Sequence, residues 1–278
     1  MQIRELHYSN TNTYLIEGGN GKVLFDTGWA GTFPAFCQAM GAAEIPVQEV
    51  THILISHFHP DHMGIVQEIA DQGAVILAAD VQKDHIHAAD AVFAKEKGNR
   101  FVPIKEEKVR FFRLADSRNV LSEIGISGCI LHTPGHSDDS ISLMLDSGEL
   151  FVGDLNPLYE LELHKGTQIG ESWERLLELH PKKVYYGHAK MAELTKVSNE
   201  SAQKNGKENA DALKEDSGKS FALVEEIVKL IRKNGDVKRI CKKTGADPAF
   251  VQDVMRMYLT HTNISIQGIL DRIEIKDR

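Results

Sequence analysis

Cysteine is scarce in this chain: three residues, Cys37, Cys129 and Cys241, in a length of 278. They are odd in number, widely spaced and never in a CxxC pair. That excludes a disulfide framework and a thiolate zinc knuckle, and predicts reduced thiols in a cytoplasmic protein. Long apolar runs are missing as well. No stretch approaches the roughly 18 uninterrupted apolar residues of a membrane span, and the first fourteen residues have neither a basic start nor an apolar segment of signal-peptide length. The expectation is a soluble, cytoplasmic protein with no membrane partner. Positive charge is not in excess either: Lys and Arg number 32 against 40 Asp and Glu, a net charge of -8.

What is present is an ordinary globular composition with an uneven charge. Hydrophobic residues make up 42%, enough for a sizeable core, and the length suits one medium domain plus a small one. From residue 219 onward there are 12 Lys and Arg against 8 Asp and Glu, which leaves 20 against 32 in the first 218 residues. The acidic part also holds all but one of the thirteen histidines. Such a balance suits cation binding, and surface solubility would explain it equally well.

The first part alternates strand-like and helix-like segments. Strands are predicted at 13–17, 22–26, 50–56, 74–78, 130–132, 140–145, 150–152 and 183–186, from short β-branched or apolar runs bounded by turn residues. Helices are predicted at 33–40, 64–72 and 171–179 from their 3.6-residue periodicity. After His188 the character changes. Residues 198–220 are rich in Asn, Lys, Glu, Ser and Gly and read as a polar linker or exposed helix. Amphipathic helices follow at 221–232, 237–243 and 248–259, and the chain ends in a further helical stretch, 264–275. Asp247 is placed to cap the third helix, with Pro248 at its first position. The expected division is a catalytic domain at 1–197, a linker at 198–220 and a small helical domain at 221–278.

The chemistry concentrates in His57-Phe58-His59-Pro60-Asp61-His62, directly after a buried strand. Alternate side chains of an extended segment share a face, so His57 and His59 can address one metal ion. The loop that follows bends back and lets Asp61 and His62 address a second point nearby. Imidazole with carboxylate suits zinc, iron or manganese. Three later strand ends repeat the pattern of a glycine followed by a donor: Gly135-His136, Gly153-Asp154 and Gly187-His188. A glycine there lets the backbone turn sharply or approach the site closely.

With these motifs in order from about residue 12 to 188, the sequence resembles the metallo-β-lactamase superfamily. The family signature HxHxDH matches His57, His59, Asp61 and His62, and the later ligands match His136, Asp154 and His188. An early strand-Asp-x-Gly turn matches Asp26-Thr27-Gly28. The resemblance implies an α/β fold, a four-layer αβ/βα sandwich with metals at one edge of two packed sheets, here followed by a small C-terminal helical domain. It implies that His57, His59 and His136 hold one divalent ion, that Asp61, His62 and His188 hold the other, and that Asp154 bridges them. Zinc is the first expectation, with iron or manganese as alternatives. Asp26 then buttresses the metal-binding loop. Two cations close together lower the pKa of a shared water, so hydroxide is available at neutral pH, and Asp61 orients it or shuttles its proton.

The departures narrow the activity. The main zinc class of β-lactamases usually has Cys in place of Asp154 and lacks the histidine at 62, and flavodiiron proteins have Glu in place of His59. The expectation is a hydrolase of a small ester, thioester, lactone or phosphodiester. The alternatives are a mononuclear-iron sulfur dioxygenase of the same fold, and a nuclease or nucleic-acid-directed protein.

The tail and one loop invite sharper readings. Lys238, Arg239, Lys242, Lys243 and Arg256 surround a helix-turn-helix-like pattern with Gly245 in the turn, which would suit nucleic acid. A packing cap or a homodimer contact is the favoured reading, because the excess charge is modest. Tyr159, Glu160, Glu162, His164 and Lys165 could line a substrate mouth. A packing or surface role for Tyr159 and a solvated loop for its neighbours are preferred. His132, in a strand near His136, is read as structural or as a support to the ligands.

Overall fold

The computed structural model describes residues 1–94, 100–194, 217–233, 236–260 and 265–276. Two sheets form the body. The first has the order β1-β2-β3-β4-β5-β6, from β1 (Gln2–Leu6), β2 (Thr13–Glu17), β3 (Lys22–Phe25), β4 (Val50–Leu54), β5 (Val75–Ala79) and β6 (Val109–Phe112). β1, β2 and β3 pair antiparallel, and β3 to β6 pair parallel. The second sheet has the order β11-β10-β9-β8-β7, from β7 (Gly128–His132), β8 (Ile141–Leu145), β9 (Glu149–Phe151), β10 (Lys183–Tyr185) and β11 (Ala192–Glu193).

Side-chain alternation turns these sheets into layers. Along β2 and β3, Tyr14, Ile16, Val23 and Phe25 point into one apolar cluster, and Leu15 and Leu24 point into another. The shared middle cluster joins Phe25 and Leu77 of the first sheet to Leu143, Leu145 and Phe151 of the second. On its outer face the first sheet packs against α1 (Phe33–Ala42), through Phe36 and Met40, and α3 (Val66–Ala70), through Val66 and Ile69. The second sheet packs Met144, Leu150 and Val152 against Trp173 and Leu176 of α6 (Gln168–Leu177). Helix, sheet, sheet and helix thus stack around three apolar layers, which is the four-layer sandwich expected. Each fully buried aliphatic or aromatic side chain contributes about 1.5–3 kcal/mol, so the sheet faces dominate the stability of this body.

The expected elements recur with shifted ends. The helix expected at 64–72 is α3, which starts after a turn at Gly64 and Ile65, and the loop expected before it holds the short helix α2 (Pro60–Met63). β1, β6, α4 (Asp90–Phe93), α5 (Ser117–Glu123) and β11 had no counterpart in the sequence reading.

Four helices follow: α7 (Ser217–Ile231), α8 (Val237–Thr244), α9 (Pro248–Thr260) and α10 (Ile266–Lys276). Their apolar faces meet in a cluster of their own, with Val224, Ile227, Ile240, Val251, Val254 and Ile269. Asp236 caps α8, its side chain accepting from Arg239 N, and Gly245 ends the helix at a left-handed φ of 73°. Asp247 accepts from Phe250 N at 3.4 Å, in the capping role expected of it. Most of the expected linker, 198–216, lies outside the described residues. Among the described residues no helix is long and apolar enough to cross a membrane.

Candidate metal centre

The seven expected ligands come from four chain segments and meet at one end of the two sheets. His57 and His59 follow β4, and Asp61 and His62 sit on α2. His136 lies in the loop between β7 and β8, Asp154 follows β9, and His188 follows β10. Donor atoms of three groups lie within 4.8 Å of one another: His57, His59 and His136; Asp61, His62 and His188; and His57, His62 and Asp154. The third group ties the other two together. Asp154 Oδ1 is 3.2 Å from His62 Nε2 and 3.4 Å from His188 Nε2, while Oδ2 is 3.5 Å from His136 Nε2.

The outer hydrogen bonds decide which nitrogen each ring presents. Asp26 is fully buried and accepts from Ser56 N at 2.7 Å, Ser56 Oγ at 2.8 Å and His62 Nδ1 at 2.9 Å. Ser56 Oγ spends its proton on Asp26, so it accepts from His57 Nδ1, 3.0 Å away. His188 Nδ1 donates to the Asn10 carbonyl at 2.8 Å. In all three rings Nδ1 carries a proton, and Nε2 is the nitrogen turned toward the centre. This is how protein donors fix the tautomer of a metal-binding histidine. Asp26 performs its task at a backbone φ of 60°, a strained conformation for a residue with a side chain, of the kind that gathers at functional sites.

The inward atoms cannot satisfy one another. His59 Nδ1 lies 3.0 Å from His57 Nε2 and 3.1 Å from His136 Nε2, so a single proton serves at most one of the two contacts. His188 Nε2 faces Asp61 Oδ2 at 3.1 Å and Asp154 Oδ1 at 3.4 Å, acceptor against acceptor. His62 Nε2 and Asp154 Oδ1 are buried without a hydrogen-bond partner. Each orphaned atom of this kind costs about 1–3 kcal/mol. A cation removes the cost at every one of these atoms, so the residues present fit divalent metal ions. Without a cation the same cluster draws in protons instead. Burial alone would lower the pKa of His62, but the carboxylates of Asp154, Asp26 and Asp61 hold it well above the usual imidazole value. Burial likewise works against ionised Asp154, yet His188, His62 and His136 keep its carboxyl well below the ordinary range. For His57 burial wins, helped by His62 and His136, and its pKa falls.

Two glycines are required by the approach of the segments. A side chain on Gly187 would place its Cβ 2.8 Å from both Asp154 Oδ1 and His62 Cε1. One on Gly153, at φ +55°, would collide with Ser56 Oγ.

Beside the centre opens a cleft of about 370 Å³, lined by Phe58, His59, His85, His136, Ser137 and Asp138 among others. No Lys or Arg lines it among the described residues. The loop 158–164 takes no part in this cleft. Tyr159 is half exposed, and its hydroxyl donates to Asp271 Oδ2 of α10 at 2.7 Å. Glu160 is fully buried, accepting from Asn156 Nδ2 at 2.7 Å and from Ser265 N at 2.8 Å. His164 is buried too. The solvated-loop expectation therefore needs correction for Glu160 and His164. Only Glu162 and Lys165 fit it, and they are exposed and paired with each other. His132 Nε2 donates to the Asp138 carbonyl at 2.7 Å, a structural contact. The sequence reading passed over Ser56, although its place just before His57 was a usable signal. It also passed over Asp139, which is buried and accepts from Phe58 N at 2.7 Å.

Comparison with known proteins bears on this geometry. A family model described as the metallo-beta-lactamase superfamily matches residues 8–188. The beta-lactamase-like protein 2 homolog of Drosophila melanogaster is 28% identical over 193 residues, covering 66% of this chain and 60% of the relative. The atrochrysone carboxyl ACP thioesterase of Aspergillus fumigatus is 27% identical over 150 residues, 52% of this chain and 29% of that protein. The chain thus spans three-fifths or less of the length of these curated relatives. Among solved structures, TTHA1623 in a di-iron-bound form is similar with a TM-score of 0.52 at 22% identity, covering 69% of this chain and 94% of that one.

Proposed function

The chain belongs to the metallo-beta-lactamase superfamily, and from that premise we propose that it is a metal-dependent hydrolase of acyl bonds, with thioesters as the first substrate class. The observation that carries the reading is the convergence of imidazole nitrogens and carboxylate oxygens in two linked groups. His57, His59 and His136 would hold one divalent ion, and Asp61, His62 and His188 a second. Asp154 turns one oxygen toward each group. This second group favours two ions over the single iron of a sulfur dioxygenase. Ions bound there would supply Lewis acidity toward a carbonyl oxygen and activation of water. Zinc remains the first expectation, with iron supported by the di-iron form of the structural relative and manganese as the remaining alternative.

The chain's own residues do the rest. Asp61 is the more accessible carboxylate of the centre, its side chain 25% exposed against 5% for Asp154. Burial opposes its ionisation, but His62 and His188 outweigh burial and depress its pKa. Its accessibility suits it to orient the attacking water or to shuttle its proton. The acyl carbon gains the water oxygen, the C–S bond breaks, and the leaving thiolate takes up a proton. The cleft favours an acyl substrate over a phosphodiester. It carries Asp138 and Asp139 and no Lys or Arg among the described residues, a poor match to a polyanion. The thioesterase among the relatives points the same way.

The division into a catalytic domain at 1–197 and a helical unit at 221–278 belongs to this reading, supported by the separate apolar cluster of the last four helices. The small-molecule substrate is part of it too. The test is thiol release from S-phenyl thioacetate by zinc-loaded full-length protein, beside hydrolysis of bis(p-nitrophenyl) phosphate, with His59→Ala as the blank. Thiol release that vanishes in the blank is the expected result. Turnover of the phosphodiester alone would overturn the acyl assignment and move the weight to a nuclease.

A further inference from the structure

One histidine that faces the cleft belongs to neither ligand group. His85 closes the 3-10 helix Asp80–His85, and its half-buried ring lines the cleft together with His59 and His136. It has no hydrogen bond or ion pair among the described residues. His87, two residues on, is exposed and pairs with Asp90 and Glu106.

His85 is held in place by its own turn. Gln82 is fully buried; its Nε2 donates to the Ile55 carbonyl at 2.9 Å, and its Oε1 accepts from Ala79 N at 3.1 Å. Ile55 lies two residues before His57, so Gln82 ties the turn to the segment that carries the first ligands. In a 3-10 helix residues i and i+3 eclipse. Gln82 and His85 therefore share a face, and anchoring the first aims the second at the same strand end. The other side of the cleft is equally fixed. Asp139 accepts from Phe58 N at 2.7 Å, and His132 Nε2 donates to the Asp138 carbonyl at 2.7 Å. The cleft is preformed, and the imidazole in its wall is left without a partner, as a binding site for a polar ligand requires.

We propose that His85 is a substrate-contacting residue, which hydrogen-bonds a polar group of the acyl compound held against His59 and His136. The assignment rests on the acyl-hydrolase reading for the identity of the substrate, but not for the site itself. It is tested on zinc-loaded full-length protein with His85→Ala and His85→Gln, because a glutamine amide can still donate a hydrogen bond. Two readouts are taken: kcat/KM for S-phenyl thioacetate, and the Kd of benzohydroxamate by calorimetry, with zinc content and melting temperature measured for each variant. The expected result is a loss of about tenfold or more in His85→Ala, the worth of one hydrogen bond, largely recovered in His85→Gln, with zinc content and melting unchanged. If the wild type leaves the thioester intact, the acyl reading falls and benzohydroxamate alone decides His85. Values within about twofold of wild type in His85→Ala would overturn the proposal. So would a glutamine variant as impaired as the alanine one, or zinc lost from either variant.

Discussion

The metal centre and the loop 158–164 are built from the same residue types, yet the protein treats them in opposite ways. At the centre, His62 Nε2 and Asp154 Oδ1 are buried with no partner, and His59 Nδ1 faces two other ring nitrogens. In the loop the polar groups of Tyr159 and Glu160 are consumed. The tyrosine hydroxyl goes to Asp271, and the buried carboxylate is shared between Asn156 and Ser265. A cluster whose polar atoms are satisfied by the chain is architecture. A cluster that leaves them pointing at one another is a site for something the chain does not supply. By this criterion Tyr159 and Glu160 form a clasp joining the second sheet's connections to the last helix, although His164 Nε2, a few residues on, is buried without a partner.

The contrast can be broken at several points. The largest effect is expected from Asp154→Ala, which removes the carboxylate facing both ligand groups. Activity should fall by more than about a thousandfold, roughly 4 kcal/mol of transition-state stabilisation, and metal analysis should find fewer than two ions per chain. Two retained ions would refute the bridging role. Next comes Asp26→Asn, which puts a donor where Ser56 and His62 already donate. Zinc affinity, measured by competition with a chromophoric chelator, should fall about 10–100-fold. An unchanged affinity would show that the anchoring bonds are dispensable.

The clasp should respond differently. In Glu160→Gln one amide NH2 faces a donor in a buried place, which costs about 1–3 kcal/mol. The urea midpoint should drop while zinc content stays as in wild type. Loss of metal in that variant would mean that the loop and the centre are one unit after all. Tyr159→Phe should do least, with a stability change of about 1 kcal/mol or less and rates within a few-fold. A rate loss of about a hundredfold, near 2.7 kcal/mol, would place that hydroxyl in the chemistry.

Much of the centre was legible because its information is local. Four donors fall within six residues, and the other three each follow a glycine at a strand end. What escaped was decided by pairing. β1 and β6 are the edge strands of their sheet, with few buried residues to mark them. The helical pattern of 64–72 gave the existence of α3 but not its ends, which the turns on either side of Val66–Ala70 set. Glu160 and His164 looked like a solvated loop because charge and histidine usually are. Their burial comes from tertiary neighbours, with Glu160 held by Asn156 and by Ser265, 105 residues away.

The sequence by itself determined the alternation of strands and helices and the clustered donors, because periodicity and motif spacing are properties of neighbours along the chain, and its resemblance to the superfamily implied the four-layer fold. Which nitrogen His57, His62 and His188 present, and that His85 looks into the cleft while Tyr159 does not, were decided by tertiary structure alone. These depend on contacts such as His188 with Asn10 and Tyr159 with Asp271, 178 and 112 residues apart. No local pattern encodes a contact between segments that far apart.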